Sequence, residues 1–363
     1  MVRLDSFLEY EQPTKYIVKS EFYSDDYKIP VLTAGQSFVL GHTNETENIF
    51  TNVPVIIFDD FTTSIQYVDF PFKVKSSAMK ILKPTEKSDI RFCYYLLKNI
   101  KINSDTHKRY WISEYAPKQI KNITIDEQKE ISKKLDVIVD SVSCIDKILV
   151  DLDNLIYSKY DSLMKNDSNI EMKKLIDVVE FIDYRGKTPT KTEKGIPLIT
   201  AKNVKKDYFS VEPREFIAEE SYEERMTRGI PKVGDVLFTT EAPLGNVCLI
   251  PDLKEKFSVG QRIITMHPKD NLKSEYLKYT LLSDKVQSDI YKKSTGSTVK
   301  GIKSKFLKEI LIPIISYEKQ TEFSNFLNKI ENIKNILKVQ KQDLYKLFDI
   351  KNRELFAEVL LDE

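Results

Sequence analysis

The chain has 363 residues, 41% hydrophobic and 31% charged, with a net charge of +1, a composition that suits two or three soluble domains with extended polar surface. It has no apolar run of the ~20 residues needed to span a bilayer, and its start, MVRLDSFLEYEQPTK, lacks the apolar segment of a secretory signal; a cytoplasmic protein with no membrane partner is expected. Cys93, Cys144 and Cys248 are far apart and His42, His107 and His267 equally scattered, which argues against a disulfide frame and against a metal site.

In chain order, the first recognisable segment is Ile29-Pro30-Val31-Leu32-Thr33-Ala34, an apolar run entering a turn. Val55-Ile56-Ile57-Phe58 reads as a short buried strand and Tyr94-Tyr95-Leu96-Leu97 as part of a helix. A strand from Ile120 to Ile125 then runs into a helix opening at Glu127-Gln128. The same series returns as Ile196-Pro197-Leu198-Ile199-Thr200-Ala201, Asp235-Val236-Leu237-Phe238 and Lys278-Tyr279-Thr280-Leu281-Leu282. It closes with a strand from Leu307 to Ile314 and a helix opening at Lys319-Gln320. One match would be chance; four in the same order indicate an internal repeat.

The two helices carry the clearest periodicity. Ile131, Leu135, Ile138, Val142, Ile145, Leu149, Leu152, Ile156 and Leu163 follow steps of four and three, with a polar rung near Lys159, which is the seam of a coiled coil. Phe323, Leu327, Ile330, Leu337, Leu344, Phe348 and Leu355 form the second seam, in which Lys334 and Lys341 occupy two rungs. Each helix spans about 40 residues and so ~60 Å, more than a small domain covers, and a helix partner is expected rather than packing on one domain alone. The fold class expected is α+β: two globular domains separated by two long helices in an antiparallel coiled coil, with pseudo-twofold symmetry. The boundaries read as 1–126 and 167–316 for the globular parts, and 127–166 and 317–363 for the helices. A pseudo-twofold chain imitates a dimer, and dimers read paired DNA half-sites about one helical turn apart.

The second half carries Ile182-Asp183-Tyr184-Arg185-Gly186-Lys187-Thr188-Pro189, then Gly195-Ile196-Pro197-Leu198-Ile199-Thr200-Ala201-Lys202-Asn203-Val204. Gly229-Ile230-Pro231-Lys232-Val233-Gly234-Asp235-Val236-Leu237-Phe238-Thr239-Thr240-Glu241-Ala242-Pro243-Leu244-Gly245-Asn246-Val247 follows, and Ser294-Thr295-Gly296-Ser297-Thr298-Val299-Lys300-Gly301-Ile302 completes the set. These strings, in this order, resemble one variety of target-recognition domain in the specificity subunits of Type I restriction-modification systems. The first half is similar in outline, but Lys108-Arg109-Tyr110-Trp111-Ile112-Ser113 stands where the Ser-Thr-Gly-Ser-Thr loop would be, and resembles a second variety. The resemblance implies a non-catalytic chain that reads an asymmetric two-part target in double-stranded DNA and docks two adenine-methyltransferase subunits on its helices. Those subunits would bring S-adenosylmethionine, with no cofactor in this chain, and endonuclease/translocase subunits would join for restriction.

The residues themselves support a DNA partner in part. From Tyr291 to Lys308 there are six lysines and no acid, and from Asp183 to Lys206 seven basic residues against Asp183 and Glu193; a duplex responds to such local potential, not to the total charge, although a lysine run is commonly only a solvated face. In the segment Tyr184 to Lys191, Arg185 could chelate guanine O6 and N7, Thr188 and Thr190 would reach phosphate or a thymine methyl, and Lys187 phosphate, with Tyr184 and Lys191 as further DNA-binding candidates; an ordinary turn is the plainer alternative. Ser294, Thr295, Ser297, Thr298 and Lys300 read as a loop laying hydroxyls and a charge along the backbone, without the spacing of a nucleotide-binding loop. Lys108, Arg109 and Tyr110 would play the matching part in the first half, with Trp111 assigned to the core; Lys202 and Asn203 are base-edge candidates, and Thr33 is a further DNA-binding candidate of the first half. The chain has no Pro-Pro pair and thus no Asn/Asp-Pro-Pro-aromatic methyltransferase motif, and no glycine-rich cofactor fingerprint. Two alternatives remain open: a structural coiled-coil protein with protein-binding ends, and an orphan or swappable specificity chain from a shuffling locus.

Overall fold

The computed structural model describes residues 1–33, 37–102 and 109–360. The chain divides into two compact units, residues 1–147 with 337–363 and residues 148–336.

In the first unit the strands of the two larger sheets are β1 (Leu8–Glu11), β2 (Ile29–Leu32), β3 (Val39–Thr43), β4 (Val55–Asp59), β5 (Ile65–Val68), β6 (Lys73–Val74) and β7 (Met79–Pro84), followed by helix α1 (Ile90–Asn99). They form a four-stranded antiparallel sheet in the order β1-β7-β4-β5 and a three-stranded sheet in the order β3-β2-β6, in which β2 and β6 run parallel. All five residues of β4 are buried, which explains why it reads as a continuous apolar run rather than an alternating one. The long helix α2 (Ile125–Asn166) begins here.

The second unit repeats this plan. Its strands are β8 (Val179–Asp183), β9 (Ile196–Ile199), β10 (Phe216–Ile217), β11 (Val236–Thr239), β12 (Val247–Leu249), β13 (Ser258–Val259) and β14 (Ile263–Pro268), followed by α3 (Ser274–Leu282) and the long helix α4 (Tyr317–Leu360). The sheets are ordered β8-β14-β11-β12 and β10-β9-β13, with β9 and β13 parallel. Each strand thus takes the place of the one seven earlier, so the repeat read from four short strings extends to the whole strand order. The ends of the halves differ from expectation in detail. The strand expected over Ile120–Ile125 is only Gln119–Ile120, and Ser304–Lys308, expected to start a strand at Leu307, is a short helix before the strand Leu311–Ile314.

Within each unit, one part of α2 lies antiparallel to one part of α4. In the first unit Lys341 Nζ on α4 pairs with Asp146 on α2, and Phe92 of α1 packs against Phe356 of α4 at 5.4 Å between ring centroids. In the second unit Lys334 Nζ lies 2.7 Å from Asp153, and Tyr160 packs against Phe323. The lysines on the two seam rungs are therefore paired with acids on the facing helix, one partner in each unit. The polar rung near Lys159 is closed by its neighbour Tyr160, buried with its hydroxyl 3.1 Å from Thr280 Oγ1.

Candidate nucleic-acid interface

Strand β8 pairs along its length with β14, and at Asp183 the chain leaves the sheet for the loop that follows. Tyr184, expected at the DNA, instead anchors that loop: it is fully buried, donates its hydroxyl to Gly229 O at 2.6 Å and accepts from Arg228 N at 3.0 Å. Arg185 is fixed by its neighbour. Its Nε lies 2.9 and 3.1 Å from the two Asp183 carboxylate oxygens, its Nη2 donates to Oδ2 at 2.6 Å, and its Nη1 to Ile302 O at 3.2 Å. Burial pushes the Asp183 carboxyl up, but hydrogen bonds from the Arg185 side chain and backbone outweigh it and hold the group below its ordinary value.

Two further arginines brace the loop. Arg228 Nη1 donates to Asp183 O and Arg185 O, and Arg225, itself buried, donates Nη1 to Lys187 O at 2.7 Å while Nε and Nη2 hold Ser258 Oγ and Val259 O. Burial pulls the Arg225 guanidinium down from its usual value. Farther along, Lys187 Nζ donates to Thr227 Oγ1 at 3.1 Å and Thr188 Oγ1 to Gln261 Oε1 at 2.5 Å; Thr190 is exposed. Lys191 and Lys202, although exposed, share the Glu215 carboxylate at 2.6 and 3.1 Å, which removes one unit of their joint charge.

Asn203 is corrected more sharply. It is 3% exposed; its Oδ1 accepts from Thr200 N and Oγ1 and its Nδ2 donates to Ser210 O and Pro213 O at 3.0 Å. With the whole amide used inside the protein it closes a turn and has no edge to offer a base.

The loop from Thr295 to Lys300 is exposed, with Ser294 half-buried at its foot. Thr295 and Gly301 exchange two backbone hydrogen bonds, 2.8 and 2.9 Å, across its base. Gly296 has φ +105°, and a Cβ there would lie 2.1 Å from Val299 O, so the tight turn requires glycine. Thr295, Gly296 and Val299 of this loop border the same groove of about 500 Å³ as Arg185, and Thr240, Glu241, Gln261, Arg262 and Lys303 also line it. Thr295 and Arg185 thus come together from residues 110 apart in the chain. The groove residues from 240 to 262 were not singled out from the sequence. Thr240 and Glu241 sit inside a string that reads as fold, and Gln261-Arg262 has no spacing to mark it; only the pairing of β14 with β8 and β11 brings them beside Arg185.

In the first unit Lys108 lies outside the described residues. Arg109 is exposed, and Thr33 half-buried just after β2. Tyr110, a proposed contact, is 3% exposed and packs with Trp111 in the core; the expected core role of Trp111 holds, its ring meeting Phe58 at 5.7 Å. By strand order, the turn between β4 and β5 corresponds to the one between β11 and β12 that carries Thr240 and Glu241. The Asp59 carboxylate closes it by accepting from Phe61 N and Thr62 N, leaving Phe61 66% exposed.

Four likenesses bear on this geometry. A family model described as the Type I restriction modification DNA specificity domain matches residues 167–344. The chain is 33% identical over 354 residues to the Type I restriction enzyme EcoR124I/EcoR124II specificity subunit of Escherichia coli, across 92% of this chain and 86% of that protein. In fold it is similar to the Type I restriction-modification S subunit of M. genitalium, with TM-score 0.52 and 14% identity over 98% of this chain and 95% of that one. It is likewise similar to a chain from a structure concerned with complex assembly and conformational transition of the type I R-M system, with TM-score 0.53 and 14% identity over 98% and 96% of the two chains.

Proposed function

This chain belongs to the specificity subunits of Type I restriction-modification enzymes, a non-catalytic, DNA-recognising family that needs no cofactor of its own, and on that premise we propose that it reads an asymmetric two-part DNA target through two different recognition surfaces. The observation that carries this is the groove of the second unit, where a braced arginine, a second arginine and a glycine-turned hydroxyl loop converge. Arginine suits base edges, and exposed hydroxyls and lysines suit phosphates. The first unit has the same strand order but a different surface, with Phe61 on the turn that corresponds to Thr240 and Glu241, and Arg109 in the segment that stands in place of the hydroxyl loop. A different half-site follows from that difference.

Under this reading residues 1–126 and 167–316 are the recognition domains, and 127–166 and 317–363 are the helices that set their spacing. Two methyltransferase subunits carrying S-adenosylmethionine dock on those helices, and endonuclease/translocase subunits join them, in the cytoplasm where the DNA lies. Exposed apolar side chains on the helix pair of each unit support docking: Val137 and Ile350 in the first, Leu155 and Ile336 in the second. No helix among the described residues is long and apolar enough to cross a membrane.

A graft tests the division. Placing residues 167–316 in another specificity subunit, assayed with that subunit's own methyltransferase, should transfer one half of this chain's methylation motif and leave the other half that of the host. Transfer of neither half, by a folded and active graft, would contradict the assignment.

A further inference from the structure

Arg185 has five N–H donors in one plane. Asp183 takes the Nε–H and one N–H of Nη2, and Ile302 O takes one N–H of Nη1. One N–H therefore remains on each Nη, and the side chain, 24% exposed, borders the groove. With the Nε–Nη2 edge on Asp183, the tip of the guanidinium carries one N–H from each Nη in parallel, and with Ile302 O on the Cδ-side hydrogen of Nη1 this pair fits a flat partner with two acceptors on one edge. Among bases in the major groove guanine offers that pattern, O6 beside N7, whereas adenine sets an N–H donor beside its N7. A phosphate also accepts two arginine donors, but Arg185 is only 24% exposed, while Thr298 and Lys300 are exposed on the loop whose Thr295, Gly296 and Val299 line the groove, and such exposed groups suit a passing backbone.

The fork is also held still. Arg228 ties the carbonyls of Asp183 and Arg185 together, Tyr184 is locked on Gly229 O, and Arg225 holds the carbonyl of Lys187. A free arginine must lose rotamer freedom to read a base; here that cost is met on folding. We propose that Arg185 reads the O6/N7 edge of one guanine in the second half-site, and that Asp183 is the positioning residue that commits its other donors and aims the remaining pair. This rests on the reading of the groove as a DNA surface given above.

The test uses the full chain with its methyltransferase subunits, selecting bound duplexes from a randomised library and sequencing them. Wild type should show one guanine in the second half-site whose preference falls about 5- to 150-fold in Arg185→Lys, the worth of one bidentate base contact. Asp183→Asn should relax the same position by a smaller factor, without changing the salt dependence of binding. Replacing that guanine by 7-deazaguanine, which lacks the N7 acceptor, should weaken wild type and leave Arg185→Lys nearly unaffected. If a charge-removing Arg185→Ala variant weakens all sequences alike and lowers the salt slope, Arg185 holds phosphate and the inference is wrong. If Arg185→Lys relaxes the guanine while Asp183→Asn leaves it intact, the positioning role of Asp183 is overturned and the base contact stands. If neither variant alters selection, and Lys300→Ala leaves affinity and salt slope unchanged as well, the groove does not face DNA, and the reading on which the inference rests fails with it.

Discussion

Gln128 and Gln320 make the same three contacts in the two halves of the chain. Gln128 Oε1 accepts from Asp89 N at 2.8 Å while its amide donates to Lys87 O and Ile123 O; Gln320 Oε1 accepts from Lys273 N at 2.9 Å while its amide donates to Asn271 O and Ile315 O. Each side chain is fully buried in the first turn of a long helix, and each ties that turn to the segment entering the short helix of its own unit. A serine one turn further on adds a second tie: Ser132 donates to Asp89 Oδ1 and Ser324 to Glu275 Oε2. The repeat is therefore kept in side-chain chemistry where the sequence matches are weak.

Removing one of these amides strands buried partners. Gln320→Ala should destabilise the second unit by about 1–3 kcal/mol, the cost of leaving buried polar groups without partners. Gln320→Glu should cost more at neutral pH, because a carboxylate would then face two carbonyl oxygens. Denaturant unfolding of the two variants checks the order; a Gln320→Glu chain as stable as wild type would show that the amide is dispensable.

The lysines on the helix seams set register. Lys334 and Asp153 should couple by about 0.2–1 kcal/mol in a double-mutant cycle, as half-exposed pairs do. Exchanging them, Lys334→Asp with Asp153→Lys, should restore most of what either single change loses. Replacing both Lys334 and Lys341 by leucine should raise stability and loosen register, since an unbroken apolar seam tolerates slippage that a polar rung paired across the seam forbids. Hydrogen exchange along α2 and α4 reads this: uniformly stronger protection in the double leucine variant, with no alternative register, would contradict the prediction.

Acid should separate Asp183 from Arg185. The Asp183 carboxyl is held below its ordinary value, so the pair contributes stability that is fully present above the unfolded value of about 3.9 and is lost as pH falls through the lower folded value. The stability difference between wild type and Asp183→Asn should thus be constant from pH 7 down to about 5 and shrink below 4. A difference that grows on acidification would reverse the sign of the linkage.

The rim of the groove should act on all sequences alike. Lys300→Ala should weaken binding across every duplex and reduce the salt slope by about one, with base preferences unchanged. Gly296→Ala should do more than its size suggests, because the added Cβ meets Val299 O and the loop must reopen. A change of base preference in Lys300→Ala would move that residue from the backbone to a base edge.

Much of the architecture was legible in the sequence. The seams of α2 and α4 follow period 3.5, and β4 and β11 are continuous apolar runs, so periodicity alone identifies both. The site was less so. Tyr184, Asn203 and Tyr110 have the residue types of contacts, yet each is buried and committed within the protein, because an amide or phenol that can bind a base can equally close a turn. Arg262 and Gln261 went unnoticed because β14 brings them to Arg185 from 76 residues or more away in the chain. Such long-range pairing has no local signature.

The helices are proposed to fix the distance between half-sites. Inserting one heptad near Leu149 keeps the seam in phase and lengthens α2 by about 10 Å, or roughly three base pairs; since α4 is unchanged and part of the insert can loop out, the gap should widen by about one to three. Two residues instead rotate the seam by about 200°, exposing leucines, and should abolish methylation. A heptad variant active at the original gap would show that something else spaces the domains.

The most direct test of the account is to express the chain with its methyltransferase subunits in a host lacking adenine methylation and to map methylated adenines across the genome. One motif should appear, with two different half-sites and a fixed gap, and only when this chain is present. The same methylation without the chain, or a motif whose halves are identical, would contradict it.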